Sequence, residues 1–551
     1  MKKLITLAFV LLMMGGTFAQ NVKYVNSSSP VKEKTVVETK VLGAIEDNVY
    51  MYTTDYARKT MRLSIYNKEN TELKKTLPVV GFGAKKTYKI LKLARLKTVL
   101  LKNDNIFVVW EIENNKESTL FLQLFDKDFQ ELQQPRSIYR LTNKNKAVHK
   151  AELFFLMSPS GNKIIVGGEE SSVKSENVKL QYKVMDVNQE VLNTVQAELP
   201  YSLSRKGYGA TSEYQVDNSG ILFFDTDVNV IDEDNKRAQA VKTHLFGNIN
   251  PETSEVKSKS ISFENKDIQN FSYELFDDHV FVFGTFSTKY NKKNKKAEIN
   301  HGIYSLKIDK QSFEAIGDIQ FDELDETKVV YSNFVMSSSK KKKYTKEEYS
   351  LNQMTNFGLI ITDFKKTEDN GIIMSLNSQL FRTVCSNKGG GCRYYTDLYG
   401  VSFIKLNTEG EIEWISCTEQ KITYAGFVVP QNKLAKNGNN YHSVVQSRPK
   451  LMTSYLIDNT TGMVKETTIK NKFKDEKAEV INDEMYFVGR NWKLSTSGWA
   501  GMGFSALMIP ASLVALPAEF VAVGVLGAFG VAYISYSFKR NDVYFGKYEV
   551  Q

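Results

Sequence analysis

The chain is poor in the residues that most enzyme chemistry requires. Three cysteines and five histidines are spread over 551 residues. His149, His244, His279, His301 and His442 fall in no H-E-x-x-H or comparable metal spacing, so structural roles are expected for them. A G-x-S-x-G elbow and a Walker loop are also missing, which removes the usual hydrolase and nucleotide-binding signatures. Asp225, Asp227 and Asn229 copy the opening of a calcium loop, but Val230 stands where the sharp turn needs glycine and no glutamate closes the site. No catalytic residue, cofactor or metal ligand is therefore assigned, and a non-enzymatic protein is expected.

Helical periodicity is scarce as well. In its place one phrase recurs eight times: an alternating apolar strand that ends in Asp or Asn, turns within a few polar residues and resumes as a second strand. It runs over Met61 to Asn67, Leu120 to Asp126, Leu180 to Asp186, His244 to Asn250, Ile303 to Asp309, Ser402 to Asn407, Thr453 to Asp458 and Val543 to Val550. A period of about 50 to 60 residues with several strands per unit is the sequence form of an all-β protein, a β-propeller. Eight blades are expected, with seven and one distorted unit as the alternative. The most apolar runs, such as Asn105 to Ile112 and His279 to Phe286, read as second strands buried between neighbouring sheets. The segment Val22 to Lys40 is expected to complete the last blade and cover its edge.

The third unit has the clearest punctuation, Ser158-Pro159-Ser160-Gly161-Asn162-Lys163 before an apolar strand. This resembles the S-P-D-G-x-x turn of TolB-like propeller blades, with Ser160 in place of the Asp. At the level of fold the whole chain resembles TolB-like or kelch-like propeller proteins of Bacteroidota envelopes, a resemblance that transfers no functional residue. The S-x-D-x-G-x-T-W box of sialidase propellers is not found.

Lys2 and Lys3 precede an apolar run from Leu4 to Met14 and a small-residue junction at Ala19-Gln20. That is the form of a secretory signal peptide, residues 1–19, leaving 20–551 as the propeller. Export makes nucleic acid an improbable partner for the net charge of +9, which is spread over Lys-rich turns. It also permits a disulfide between Cys385 and Cys392, which enclose a polar, glycine-rich tip. Cys417 is expected to be a buried thiol.

Two segments interrupt the period. The spacing stretches to about 98 residues between Asp309 and Asn407, which places a Lys-rich insertion with a mobile tip at 321–367. From Leu494 to Phe538 the one ionisable acid or base, tyrosines aside, is Glu519. Two apolar halves of about 17 or 18 residues flank Pro517-Ala518-Glu519, enough for a helical hairpin inserted in the last blade. Trp499, Phe504, Leu507, Leu516 and Phe520 supply its apolar surface, and Gly524, Gly527 and Gly530 allow close helix approach. Membrane insertion, packing on the propeller itself and docking into a protein partner compete as readings.

The expectation that combines these features is an exported, non-enzymatic scaffold of the bacterial cell envelope. It would act in the periplasm or at the periplasmic face of a membrane, the outer membrane being favoured. Its partner would be an envelope protein or membrane surface engaged through the apolar hairpin. The alternative is a propeller hydrolase, lyase or binding protein for envelope glycans, with acidic or histidine side chains converging at the channel mouth.

Overall fold

A computed structural model describes residues 22–26, 31–33, 36–55, 61–79, 94–113, 117–142, 152–170, 177–201, 213–230, 241–263, 266–288, 301–385, 392–426, 429–448, 451–470, 475–494 and 539–550. Among them the strands form eight sheets of four or five strands, each built around consecutive antiparallel strands. The repeated phrase is the third strand every time: Met61–Asn67, Glu117–Asp126, Val178–Asp186, Val241–Ile249, His301–Asp309, Cys392–Leu406, Leu451–Asp458 and Lys539–Val550. We number the sheets 1 to 8 by the order of these third strands.

The recurring Asp or Asn has a physical reason. Its side-chain oxygen accepts backbone N–H groups two to four residues ahead, which closes the turn into the fourth strand. Asp126 accepts from Asp128 at 2.9 Å and Gln130 at 2.7 Å, and Asp309 from Gln311 at 3.0 Å and Ser312 at 2.7 Å. Asn67, Asp186, Asn250 and Asn407 do the same. A left-handed residue follows three or four positions on: Thr71, Phe129, Gln189, Ser254, Phe313, Gly410 or Gly462.

Second and third strands are buried on both faces, whereas fourth strands alternate or lie open. Asn105–Glu113 and Glu117–Asp126 carry near-continuous buried runs, while Val191–Leu199 buries every other residue and Ala315–Glu323 is mostly exposed. Burial of each large apolar side chain contributes about 1.5 to 3 kcal/mol. This explains why the inner strands read as unbroken hydrophobic runs.

The chain divides into two compact units, one holding sheets 2 to 6 and the other sheets 7, 8 and 1. In the first, consecutive sheets share apolar cores: Val109 and Leu120 with Ile164, Tyr182 with Phe224, Phe246 with Tyr273, and Phe283 with Met374. In the second, Val444 meets Phe487, and Phe545 meets Tyr66 with ring centres 4.7 Å apart. Up-and-down sheets stacked face to face are propeller blades, and the chain is all-β of that class.

Sheet 8 draws on both ends of the described chain. Val22–Asn26 and Val31–Glu33 pair antiparallel with Lys539–Val550, in registers Val22↔Val550 and Val31↔Val543. The expected closing segment thus ends at Glu33, because Val36–Ile45 is already the first strand of sheet 1.

The long interval before Asn407 contains more than a loop. Ala315–Glu323 is the outer strand of sheet 5, Gly358–Lys366 the first regular strand of sheet 6, and Val329–Ser332 adds a parallel strand beside Ile412–Ala425. Between them the helix Lys346–Thr355 starts at a capping box, in which Thr345 and Glu348 satisfy each other's backbone N–H, and it buries Leu351 and Met354. The apolar segment 495–538 lies outside the described residues. The strands that flank it pair as far as Leu494↔Lys539, so it departs and returns at neighbouring positions. Among the described residues no helix is long and apolar enough to cross a membrane.

Candidate functional site

Sheet 6 departs from its siblings by length. Ile372–Cys385, Cys392–Leu406 and Ile412–Ala425 run for 14, 15 and 14 residues, so the sheet extends into a three-stranded arm. Both inner strands shift register at its base, between Ser378 and Gln379 and between Leu398 and Gly400, which adds twist. Cys385 and Cys392 pair across the tip and are joined by a disulfide.

Strand alternation gives the arm two faces. On one, Arg382 donates to Asp397 and lies 4.6 Å over the ring of Tyr395, while Thr423 donates to Asp397 at 2.6 Å. The Arg382 hydrogen bond, helped by Thr423, holds the Asp397 carboxyl below the usual carboxylate range. Leu380 and Val384 share that face, and Phe381 and Tyr394 occupy the other. All four are more than two-fifths exposed, so the arm carries a set of exposed large apolar side chains. The strand Gly358–Lys366 accompanies the arm only as far as Gly358↔Gln379. Beyond Gln379 the strand Ile372–Cys385 continues in register with Cys392–Leu406 as far as Cys385↔Cys392.

A second constellation lies where sheet 4 packs on sheet 5. Asp225 and Asp227 are same-face residues of the strand Leu222–Val230, which also contains Asn229, an extended geometry that no calcium loop adopts. Cross-strand pairing sets Glu213 and Phe246 beside Asp225, and His244 beside Asp227. The His244 Nδ1 atom is 2.8 Å from Asp227. Burial, then the charges of Glu213 and Asp227, push the Asp225 carboxyl up to about 8. Sheet 5 supplies Phe271 and Tyr273: Phe271 stacks on His244 with ring centres 5.5 Å apart, and Tyr273 lies 4.8 Å from Phe246. Among the described residues no group of three His, Cys, Asp or Glu side chains is placed to hold a metal ion.

Cys417 is buried and its thiol is pushed up to about 12 by burial. His301 and His442 are buried in strands, and His279 pairs with its neighbour Asp278 at a turn. The apolar contact residues Trp499, Phe504, Leu507, Leu516, Phe520, Gly524, Gly527 and Gly530 lie outside the described residues. Leu380, Phe381, Val384 and Tyr394 escaped the sequence reading. The available signal was the run of alternation that continues past the normal strand length up to Cys385. The Ser158 turn is a tight hairpin between the first and second strands of sheet 3, with Ser158 accepting from the Lys163 N–H at 3.1 Å and Gly161 at φ +75°.

No family model matches the sequence, and no curated protein matches it. Solved structures with a similar course include the WD40 domain of SCAP from fission yeast, at 9% identity and TM-score 0.37 over 85% of this chain and 95% of that one. A prolyl endopeptidase is 8% identical, with TM-score 0.37 over 82% of this chain and 54% of that one. A mutant of the Synechocystis apocarotenoid oxygenase is 8% identical, with TM-score 0.35 over 83% and 94%. Similarity this low transfers no activity.

Proposed function

We propose that the chain is an exported, non-enzymatic interaction platform of the bacterial cell envelope, of the kind seen in TolB-like or kelch-like propeller proteins. The arm of sheet 6 receives a protein partner, and the apolar segment 494–538 engages a membrane or membrane-protein complex. The observation that carries the reading is the arm itself: exposed Leu380, Phe381, Val384 and Tyr394 on a disulfide-closed hairpin that runs past the end of the neighbouring strand. Exposed apolar side chains on a pinned scaffold favour association, because little conformational freedom is left to lose on binding. A disulfide supports the exported location, since such bonds persist in oxidising compartments. The N-terminal signal-like segment points the same way and favours the periplasm, at the inner face of the outer membrane.

The test is fractionation of cells producing the wild type, a variant with 498–537 replaced by a short Gly-Ser turn, and a variant with Phe381→Ser and Tyr394→Ser. The expected result is wild type in the envelope fraction, loss of membrane association in the first variant, and loss of a cross-linked partner in the second. Folded variants that keep the wild-type distribution and cross-links would overturn the reading.

A further inference from the structure

We infer that the constellation between sheets 4 and 5, formed by Glu213, Asp225, Asp227, His244, Phe271 and Tyr273, is a binding site for an organic cation bearing a primary ammonium group. The argument is independent of the arm and of the apolar segment.

Three observations select that ligand. First, charge: the groups acting on Asp225 are Glu213 on the neighbouring strand and Asp227 on its own, both acidic. From the third strand His244 turns its Nδ1 toward Asp227, and sheet 5 adds the hydroxyls of Tyr273 and Tyr304, both raised by burial and by Asp225. An anion is repelled from such a place, and a cation relieves it.

Second, the polar atoms are acceptors in want of donors. The Asp225 Oδ1, the His244 Nε2 and the Tyr273 hydroxyl are buried without a hydrogen-bond partner, and His244 and Tyr273 are 7% and 3% exposed. The His244 Nδ1 atom is the one that lies by Asp227, so Nε2 is the ring nitrogen left to meet a ligand, and an imidazole that carries its proton on Nδ1 offers a lone pair there. A carboxyl, an imidazole nitrogen and a phenol oxygen can together accept the three N–H donors of an alkylammonium. Buried polar atoms without partners are rare in folded proteins and mark places where a further group belongs.

Third, the wall is aromatic. Phe246, Phe271 and Tyr273 lie within 6.2 Å of one another, ring centre to ring centre, and His244 stacks flat on Phe271. Ring faces attract an ammonium and suit the methylenes that carry it. Tyr304 donates to the Asn270 carbonyl at 3.0 Å, and Gly284 leaves the room for that contact. Glu213 is exposed and Asp225 partly so, which leaves an entrance from the solvent side. A bare metal ion is the poorer fit, since no three of the ligating side chains converge among the described residues.

The test is calorimetric titration of the full chain at pH 7 with n-butylamine, and with n-butanol as the neutral isostere. Butylamine is expected to bind and butanol to give no heat. Binding should release a proton, detected as a buffer-dependent enthalpy, because the cation forces Asp225 to ionise. Asp225→Asn should weaken butylamine by about tenfold or more and abolish the proton release. Tyr273→Phe, which keeps the ring, should weaken it by a smaller factor. Butanol binding as well as butylamine, absence of proton release in the wild type, or undiminished affinity in folded Asp225→Asn would each overturn the assignment. Should Asp225→Asn not fold, the wild-type proton release and the Tyr273→Phe comparison still decide it.

Discussion

Arg382 and Asp397 meet diagonally across the strands Ile372–Cys385 and Cys392–Leu406, and their contact organises the arm. The guanidinium donates to the carboxylate, rests 4.6 Å over Tyr395, and shares the carboxylate with Thr423 of the strand Ile412–Ala425. One pair of side chains thus ties three strands beyond the point where the rest of the sheet has ended.

Replacing Arg382 by Leu is expected to loosen the arm and leave the other sheets untouched. Amide exchange at 380–385 and 392–397 should accelerate by about tenfold, with no change elsewhere. The pH dependence follows from the depressed Asp397 carboxyl. Its stabilisation is complete above the ordinary aspartate pKa and is lost as pH falls through the lower folded value. Exchange measured at pH 6 and at pH 3 should therefore converge between wild type and variant only at the acid end.

The disulfide closes a loop with a sequence separation of 7. Chain entropy assigns such a short loop about 2.5 kcal/mol through the unfolded chain. Cys385→Ser with Cys392→Ser should lower the global urea midpoint accordingly, while limited proteolysis begins to cut inside the arm.

The helix Lys346–Thr355 rests on its cap and on Met354, which is fully buried with its sulfur 3.9 Å from that of Cys417. Thr345→Ala should cost about 1 kcal/mol, and Met354→Ala about 2 to 4 kcal/mol, by urea denaturation.

Gly284 has no space for a side chain. A Cβ there would collide with the Asn270 carbonyl oxygen and sit 2.6 Å from the Tyr304 hydroxyl. Gly284→Ala should destabilise by about 3 kcal/mol, because the obstruction includes backbone, and should lower the thermal midpoint accordingly.

Burial holds the His442 imidazole down at about 4, with its Nε2 2.7 Å from the Ser454 hydroxyl. Since the unfolded chain takes up a proton near 6.5 and the folded one does not, stability is full above that pH. It declines as pH falls toward 4, by about 3 kcal/mol in total. His442→Gln should flatten the stability profile across this window, read from urea midpoints at pH 7, 5.5 and 4.5.

The repeat was legible because its punctuation is local. An Asp or Asn that caps its own turn needs nothing from the rest of the fold, so Asp126, Asp186 and Asp309 announce their turns in the bare sequence. Inner strands were equally plain, since burial on both faces demands apolar residues throughout. The helix after Thr345 was missed although Thr345 and Glu348 stand at capping-box spacing, because a short amphipathic stretch in a Lys-rich region resembles a loop. The cluster around Asp225 was beyond reach for a different reason. Glu213, His244 and Tyr273 are brought together by register and sheet packing, and the pair Asp225 and Asp227 alone suggested only a failed calcium loop.

The pairing of Val22 with Val550 carries a mechanical consequence. The two strands run antiparallel with these residues opposite each other and Asn26 opposite Gly546, so force applied at Val22 and Val550 loads the ladder one rung at a time. A seam of that geometry unzips, whereas a seam loaded along its length must break all its rungs together. Tension applied at those two residues would therefore release Val22–Asn26 rung by rung while the inner strands of the same sheet, Glu484–Leu494 and Lys539–Val550, are still paired.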